Sequence, residues 1–485
     1  LGAGPNRMNR VTVLQAASGL AQHLVQQGFA GKKVVIGFDA RYNSDVFADD
    51  TARVMSGAGL EPIVFSHVVP TPVLAFAIRH LGACAGVMVT ASHNPPQDNG
   101  YKVYLGDGRQ IVSPVDEQIS KLIKTVTDVR EIVQGDAGKK VSDEVVNTYT
   151  ALTSQLISFG PTTEGQRKSV TSVYTAMHGV GWKTLQSAYD VSGFAEPIAA
   201  PEQRDPDPAF PTVAFPNPEE KGALDIALAI AQQNSVDVLL ANDPDADRCA
   251  AAIKDRSGDW RMLRGDELGV IFGEWIARTS PQGTFGNSIV SSSILRKISA
   301  HYGIDFKEVL TGFKWLAKIE DLAFGYEEAI GYAVDSETVN DKDGISAAIF
   351  LAQIATDLAA VGKDLNDLLD EVWQRHGFHA TEQISVRVAD MGAITELLAG
   401  LRSNPPQKIA GRAVESIDDL AAPTDDLPPT DGLRLWLSGG VRIIIRPSGT
   451  EAKLKCYIEV ITADQISAEN ELNSLRGPLK AFLGA

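Results

Sequence analysis

KKVVIGFD (32–39), LEPIVFS (60–66) and CAGVMVT (84–90) are short apolar runs rich in β-branched residues, and TPVLAFAIRHL (71–81) lies between the last two. A strand with one wet face alternates apolar and polar residues. These runs do not alternate, so they fit strands buried on both faces, the usual state of a parallel sheet covered by helices. Residues 71–81 are apolar at helical spacing, and a helical stretch also separates the first two runs. The order is therefore βαβαβ, and a polar loop with Asn and Gly follows the third strand directly.

The same order recurs twice further along. SVTSVYTA (169–176), a helix near 182–190, GFAEPIA (193–199), the helix GALDIALAIAQQ (222–233) and VDVLLA (236–241) form the second copy. NSIVSSS (287–293), ILRKISAHY (294–302), DFKEVL (305–310), FKWLAKIEDL (313–322) and a short run at 323–326 form the third, which ends in EEAIGY (327–332). Repetition of one supersecondary plan predicts three related α/β domains with mixed or parallel sheets. The remainder differs. TEQISVRV (381–388) alternates, AITELLAGLR (393–402) is helical, and GLRLWLS (432–438) and VRIIIRP (441–447) flank Gly439-Gly440. With KLKCYIEVIT (453–462) and a final amphipathic helix, this predicts a smaller antiparallel α+β domain. The Pro- and Asp-rich run 420–432 reads as a loop. The expected boundaries are 1–155, 156–264, 265–375 and 376–485.

A chain of 485 residues is long enough for three or four domains at ~150 residues each. The formal net charge of −17 argues against nucleic acid as a partner. No apolar stretch reaches the roughly 18 residues of a membrane span, so a cytoplasmic protein is expected. Cys84, Cys249 and Cys456 form no CxxC pair and no zinc spacing, and each sits in an apolar run, as a buried thiol in a reducing compartment would. The opening LGAGPNRMNR (1–10) lacks an initial Met and reads as the interior of a longer segment.

Open parallel sheets bind ligands beyond the carboxyl ends of their strands. Four polar loops stand there or in the last domain. VTASHNPPQDNGYKVY (89–104) stiffens Ser92 with Pro95-Pro96, and His93 and Lys102 are candidate proton carriers or phosphate binders. By itself the run also fits a polar loop capping a sheet. NDPDADR (242–248) alternates Asp243, Asp245 and Asp247, so the three carboxylates can converge in an extended loop, and hard oxygen ligands suit Mg²⁺. Arg248 could neutralise a phosphoryl group there. A solvated acidic turn is the alternative, whereas an EF-hand is rejected because the glycine and the closing Glu are missing. GYEEAIGY (325–332) offers carboxylates to sugar hydroxyls, or simply acidic residues at a helix start. RPSGTEAKLKCY (446–457) could surround a phosphate with Arg446, Ser448, Gly449, Thr450 and Lys453, or be an ordinary hairpin turn.

Together, in this order and over essentially the whole chain, TASHNP with NGYK, DPDADR, EEAIGY and RPSGTE resemble the α-D-phosphohexomutase superfamily. LGAGPNRMN, TAMHGVG, FPTVAFPNPEE, TGFKWL and DKDGISAA look most like the branch of bacterial phosphomannomutase/phosphoglucomutase proteins and phosphopentomutase-like enzymes. The resemblance implies three α/β domains and a fourth around one cleft. It implies Ser92 as the active-site phosphoserine and Asp243, Asp245 and Asp247 as Mg²⁺ ligands, with a phosphoserine oxygen completing the set. Lys102 and Arg248 fall beside the transferring group, Glu328 reads the sugar, and Arg446, Ser448, Gly449 and Thr450 grip the other phosphate. Lys314 and His178 match cleft-lining positions.

The implied reaction interconverts hexose 1-phosphate and hexose 6-phosphate through phospho-Ser92 and a sugar 1,6-bisphosphate, in a monomer or homodimer, with closure of the last domain gating catalysis. Phosphopentomutase action on ribose phosphates, sugar-bisphosphate synthesis and slow phosphatase action are the alternatives, with a non-catalytic sugar-phosphate binder behind them. Two departures bear on the sugar. Many relatives read GEMSGH where this chain reads EEAIGY, so Tyr332 replaces a histidine able to move protons and Ile330 replaces a serine able to touch the sugar. Relatives also carry a GTAGLRG-like stretch upstream of residue 1.

Overall fold

The described residues form four sheets, and three of them share one plan. A computed structural model describes residues 2, 4, 7–387, 391–422, 427–448 and 453–483. The first sheet contains β1 (Lys33–Phe38), β2 (Glu61–Val64), β3 (Ala85–Val89), β4 (Lys102–Leu105) and β5 (Lys139–Lys140), in the order β4-β3-β1-β2-β5. The second contains β6 (Ser172–Thr175), β7 (Ile198–Ala199), β8 (Val238–Asn242), β9 (Cys249–Lys254) and β10 (Trp260–Met262), in the order β10-β9-β8-β6-β7. The third contains β11 (Thr284–Ser288), β12 (Asp305–Val309), β13 (Leu322–Glu327) and β14 (Gly331–Ala333), in the order β12-β11-β13-β14.

In each copy the first strand lies between the second and third, paired in parallel with both. Parallel neighbours need crossovers, and helices supply them: Ser44–Gly57 and Thr71–His80, then Gly181–Ser192 and Asp225–Asn234, then Ile294–Tyr302 and the single turn Phe313–Leu316. β3 and β8 are buried along their whole length, which is why their sequences do not alternate. In each copy a fourth strand, β4, β9 or β14, runs antiparallel outside the third. The sheets are therefore mixed. The apolar-run signal missed β4 and β14, because β4 begins inside the polar stretch 89–104 and β14 is only three residues long.

Three elements depart from expectation. GFAEPIA forms only the two-residue β7: Gly193 (φ 74°) closes the preceding helix, and residues 194–197 precede the strand without regular structure. In the third copy the first strand lies upstream, at Thr284–Ser288, and residues 289–293 turn off the sheet. The helix expected over 313–322 stops after Leu316. Beyond it Lys318 N and Ile319 N bond three residues back, to Trp315 O and Leu316 O, and Leu322 already begins β13. The helix Gly344–Ala359 is buried on all sides, so it showed no amphipathic period.

The last domain holds β15 (Phe378–Arg387), β16 (Lys408–Ile409), β17 (Arg412–Asp419), β18 (Leu433–Leu437), β19 (Val441–Pro447) and β20 (Lys453–Thr462). They form one antiparallel sheet in the order β15-β20-β19-β18-β17-β16. Helices Met391–Ser403 and Gln465–Phe482 cover one face, where Leu398, Leu472 and Leu475 meet Ile443, Ile445 and Ile458. Alternation sends Ile444 and Tyr457 to the opposite face, against Ile289 and Val290 of the third domain. One apolar core is shared by the first three domains, with Tyr149, Leu239 and Phe350 among its members, and a separate one with Val34, Ile36 and Val87 lies on the other face of the first sheet. The three cysteines are unpaired, and Cys249 and Cys456 are buried. Among the described residues no helix is long and apolar enough to cross a membrane.

Candidate active site

The connection between the third and fourth strands is the same element in every copy, and it carries Ser92 in the first, Asp243–Asp247 in the second and Glu328 in the third. Each copy also braces that connection from the loop after its own first strand.

In the first copy the brace is Arg41, only 3% exposed. Its guanidinium donates to the carbonyls of Ser92, Asn94, Pro95 and Asp98 and pairs with Asp39 at 3.3 Å. One planar cation thus fixes the path of the whole serine loop. Ser92 takes a left-handed conformation (φ 50°), and its N–H donates to Thr90 Oγ1 at 2.9 Å. This sets Ser92 Oγ 2.8 Å from Asp243 Oδ2 and 3.3 Å from His93 Nδ1. The Arg248 charge, aided by burial, pushes the His93 imidazole down to about 3, so His93 is neutral near pH 7.

The aspartate loop is a tight turn between β8 and β9, with Ala246 in the left-handed region (φ 55°). Asp243, Asp245 and Asp247 are fully buried, and each offers an oxygen within 4.8 Å of the others. Lys102 Nζ lies 2.7 Å from Asp245 Oδ2 and from Asp247 Oδ2, and Lys342 Nζ lies 2.7 Å from Asp247 Oδ2. Thr71 Oγ1 donates to Asp245 Oδ2 at 2.6 Å. Arg248 stands 3.9 Å from both Asp243 and Asp247. Burial works to raise the Asp245 and Asp247 carboxyls, but the lysine charges outweigh it and hold both below the usual range. Burial and the two neighbouring aspartates push Asp243 well above it. Asp245 Oδ1 and Asp247 Oδ1 are buried with no hydrogen bond. Unsatisfied buried carboxylate oxygens are costly unless a cation takes them. Gly344 allows the third domain to close on this loop: a Cβ there would lie 2.2 Å from Arg248 O.

Glu328 Oε2 accepts from Ser288 Oγ and Ser291 Oγ, each at 3.1 Å. Burial and the neighbouring Glu327 raise its carboxyl. Arg248 Nη1 donates to Ala329 O at 3.2 Å, tying this loop to the aspartates. The two departures in EEAIGY do not reach the cleft. Ile330 and Tyr332 are fully buried; Tyr332 Oη donates to Gly265 O at 3.0 Å, and its ring meets Phe272 edge-on at 5.1 Å. The expectation that they bear on the sugar is corrected: both point into the core of the third domain. Gly265 permits the close approach, since a Cβ there would lie 1.9 Å from Glu328 O.

A cavity of about 300 Å³ beside Glu328 is also lined by Glu219, Arg264, Asp266, Thr381 and Tyr457. Arg446 is at the end of β19, and its Nε is buried without a hydrogen bond. Ser448 N donates to Lys453 O at 2.8 Å. Gly449 and Thr450 lie outside the described residues. Lys314 sits half-buried in the turn Phe313–Leu316. His178 bonds Thr212 Oγ1 at 2.8 Å within the second domain. Sequence reasoning missed Arg41 and Lys342 as site residues. Arg41 follows β1 at the ligand-binding edge, and Lys342 stands between Asp341 and Asp343 just before the helix Gly344–Ala359, so position on the sheet was the available signal.

Residues 2–130, 149–258, 264–376 and 385–471 match the family described as phosphoglucomutase/phosphomannomutase, in its alpha/beta/alpha domains I, II and III and its C-terminal domain respectively. The chain belongs to this family. The family members similar to it include a Haemophilus influenzae protein named "Probable phosphomannomutase", 44% identical over 96% of this chain and 95% of that one. Human phosphopentomutase is 36% identical over 98% of this chain and 86% of its own length. The open form of Paramecium pp63/parafusin, a phosphoglucomutase, superposes with a TM-score of 0.77 at 20% identity, covering 97% of this chain and 90% of that one; at that identity the likeness is one of fold.

Proposed function

We propose that the protein is a phosphosugar mutase that interconverts hexose 1-phosphate and hexose 6-phosphate through phospho-Ser92. The observation that carries this reading is Ser92 Oγ lying 2.8 Å from Asp243 within a buried trio of aspartates. Family membership supports it. Asp243, Asp245 and Asp247 would hold a divalent cation, Mg²⁺ by the hardness of its oxygen donors; bound there, it neutralises charge on the transferring phosphoryl group.

The chain's own residues do the rest. The P–Oγ bond of phospho-Ser92 breaks as a sugar hydroxyl oxygen forms the new P–O bond. The hydroxyl's proton ends on Ser92 Oγ; in the return half-reaction Ser92 Oγ loses it while bonding the other phosphorus, and the sugar oxygen released there gains it. Lys102 and Lys342, inside the cluster, are assigned to hold and move this proton, and Arg248 steadies the transferring oxygens. Glu328 accepts hydrogen bonds from ring hydroxyls. Arg446 and Ser448 hold the phosphate that is not reacting, and the bisphosphate must turn over between half-reactions so that either end can take that place.

A pentose reading stands second, favoured by the 36% identity to human phosphopentomutase. The deciding experiment measures kcat/KM side by side for glucose, mannose and ribose 1-phosphates, with free phosphate followed in the same vessel. A hexose 1-phosphate should be the best substrate, converted without phosphate release. Preference for ribose 1-phosphate would replace the hexose reading, and stoichiometric phosphate release would replace the mutase by a phosphatase.

A further inference from the structure

The loop 289–293 occupies, in the third copy, the bracing place that Arg41 occupies in the first. It is gripped from two sides by different domains. On one side Ser291 Oγ donates to Glu328 Oε2 at 3.1 Å and accepts from Glu328 N at 3.1 Å. On the other side stands the sheet of the last domain. Arg442 donates to Ile289 O at 3.3 Å and to Ser291 O, and its Nη2 lies 3.0 Å from Glu459 Oε2. Glu459 Oε1 in turn accepts from Ser292 Oγ at 2.6 Å and from Ser293 N at 2.8 Å. Arg442 and Glu459 are direct partners across β19 and β20, and both are almost completely buried.

Burying such a pair adds little net stability over apolar residues of the same size. What it supplies is direction. A planar guanidinium that meets two carbonyls and one carboxylate leaves the loop little freedom, and Ile289 and Val290 pack on Ile444 and Tyr457 to keep water out. The last domain thus holds the backbone whose serine holds Glu328.

We propose that Arg442 and Glu459 are positioning residues for sugar recognition: they set the loop 289–293, and the loop orients Glu328 through Ser291. This rests on the reading of Glu328 as the acceptor of sugar hydroxyls. The test is a double-mutant cycle on kcat/KM for the preferred hexose 1-phosphate, with thermal unfolding recorded for every variant. Arg442→Lys keeps the charge and loses the planar fork; alone it should lower kcat/KM about tenfold. In a Glu328→Gln background it should lower it by less than about twofold, because the group it acts through is already impaired. A purely structural role would give equal losses in both backgrounds, and that result overturns the proposal. Glu459→Gln keeps an acceptor for Ser292 and Ser293 but loses the charge facing Arg442. It is run through the same cycle, with the same two outcomes, so that poor folding of Arg442→Lys leaves the question decidable. If Glu328→Gln alone leaves kcat/KM unchanged, the reading of Glu328 itself fails and the proposal falls with it.

Discussion

Ser92 and Arg41 separate chemistry from support at the smallest scale. Ser92→Ala removes the group proposed to carry the phosphoryl, so mutase turnover should fall by roughly 10³-fold or more while the melting temperature stays near that of the parent; a coupled assay beside a thermal scan reads both. Arg41→Ala acts through folding. It leaves Asp39 buried without its cation and frees four carbonyls, so urea unfolding should report a loss of about 3–5 kcal/mol. Tyr332 gives the opposite contrast. Its hydroxyl is spent on Gly265 O in the core, so Tyr332→Phe should cost about 1 kcal/mol and leave the ratio of kcat/KM between hexose and ribose 1-phosphates unmoved. A changed ratio would return Tyr332 to the sugar site.

Elements show why part of the site was legible and part was not. Ser92, the three aspartates and Glu328 stand out in the sequence because each lies in a polar loop directly after a strand of the repeat and within a motif that resembles the superfamily's. Arg41 and Lys342 do not, because their partners lie 51 to 57 residues away along the chain for Arg41 and in another domain for Lys342; nothing local marks them. Tyr332 was misjudged for a related reason: a motif aligns positions, whereas the β13–β14 hairpin decides which way a side chain points. The helix Gly344–Ala359 offers a test at this scale. Its cap, Asp343, accepts from Ile345 N and Ser346 N and from Tyr149 Oη, and burial pushes its carboxyl up to about 6. Between its unfolded value and about 6 the native state therefore binds the proton more tightly than the unfolded chain, so stability falls as pH rises through that window and the penalty is complete above it. Asp343→Asn should remove up to about 3 kcal/mol of that decline between pH 4 and 7, measured as denaturant midpoints across the pH range.

Over the whole molecule, the residues proposed to hold the metal and those proposed to hold the phosphate come from different domains, so ligands should register globally. The buried oxygens of Asp245 and Asp247 predict that millimolar Mg²⁺ raises the melting temperature and that EDTA reverses the rise, by linkage to the native state alone; Asp245→Asn should abolish the shift. A hexose phosphate bridging Arg446 and the serine loop should also shrink the radius of gyration in solution scattering, and Arg446→Ala should not show that contraction. Arg442 and Arg446 lie on one face of β19, four residues apart, which is roughly 13 Å along a strand. A strand of that length inside a six-stranded sheet is stiff, so the two arginines move as one piece. On the roles proposed for Arg446 and Glu328, the part that grips the phosphate and the part that aligns the hydroxyl reader share a single lever, a conjunction of the two. On that reading, a sugar lacking its phosphate has nothing with which to pull that lever, however well its ring matches Glu328.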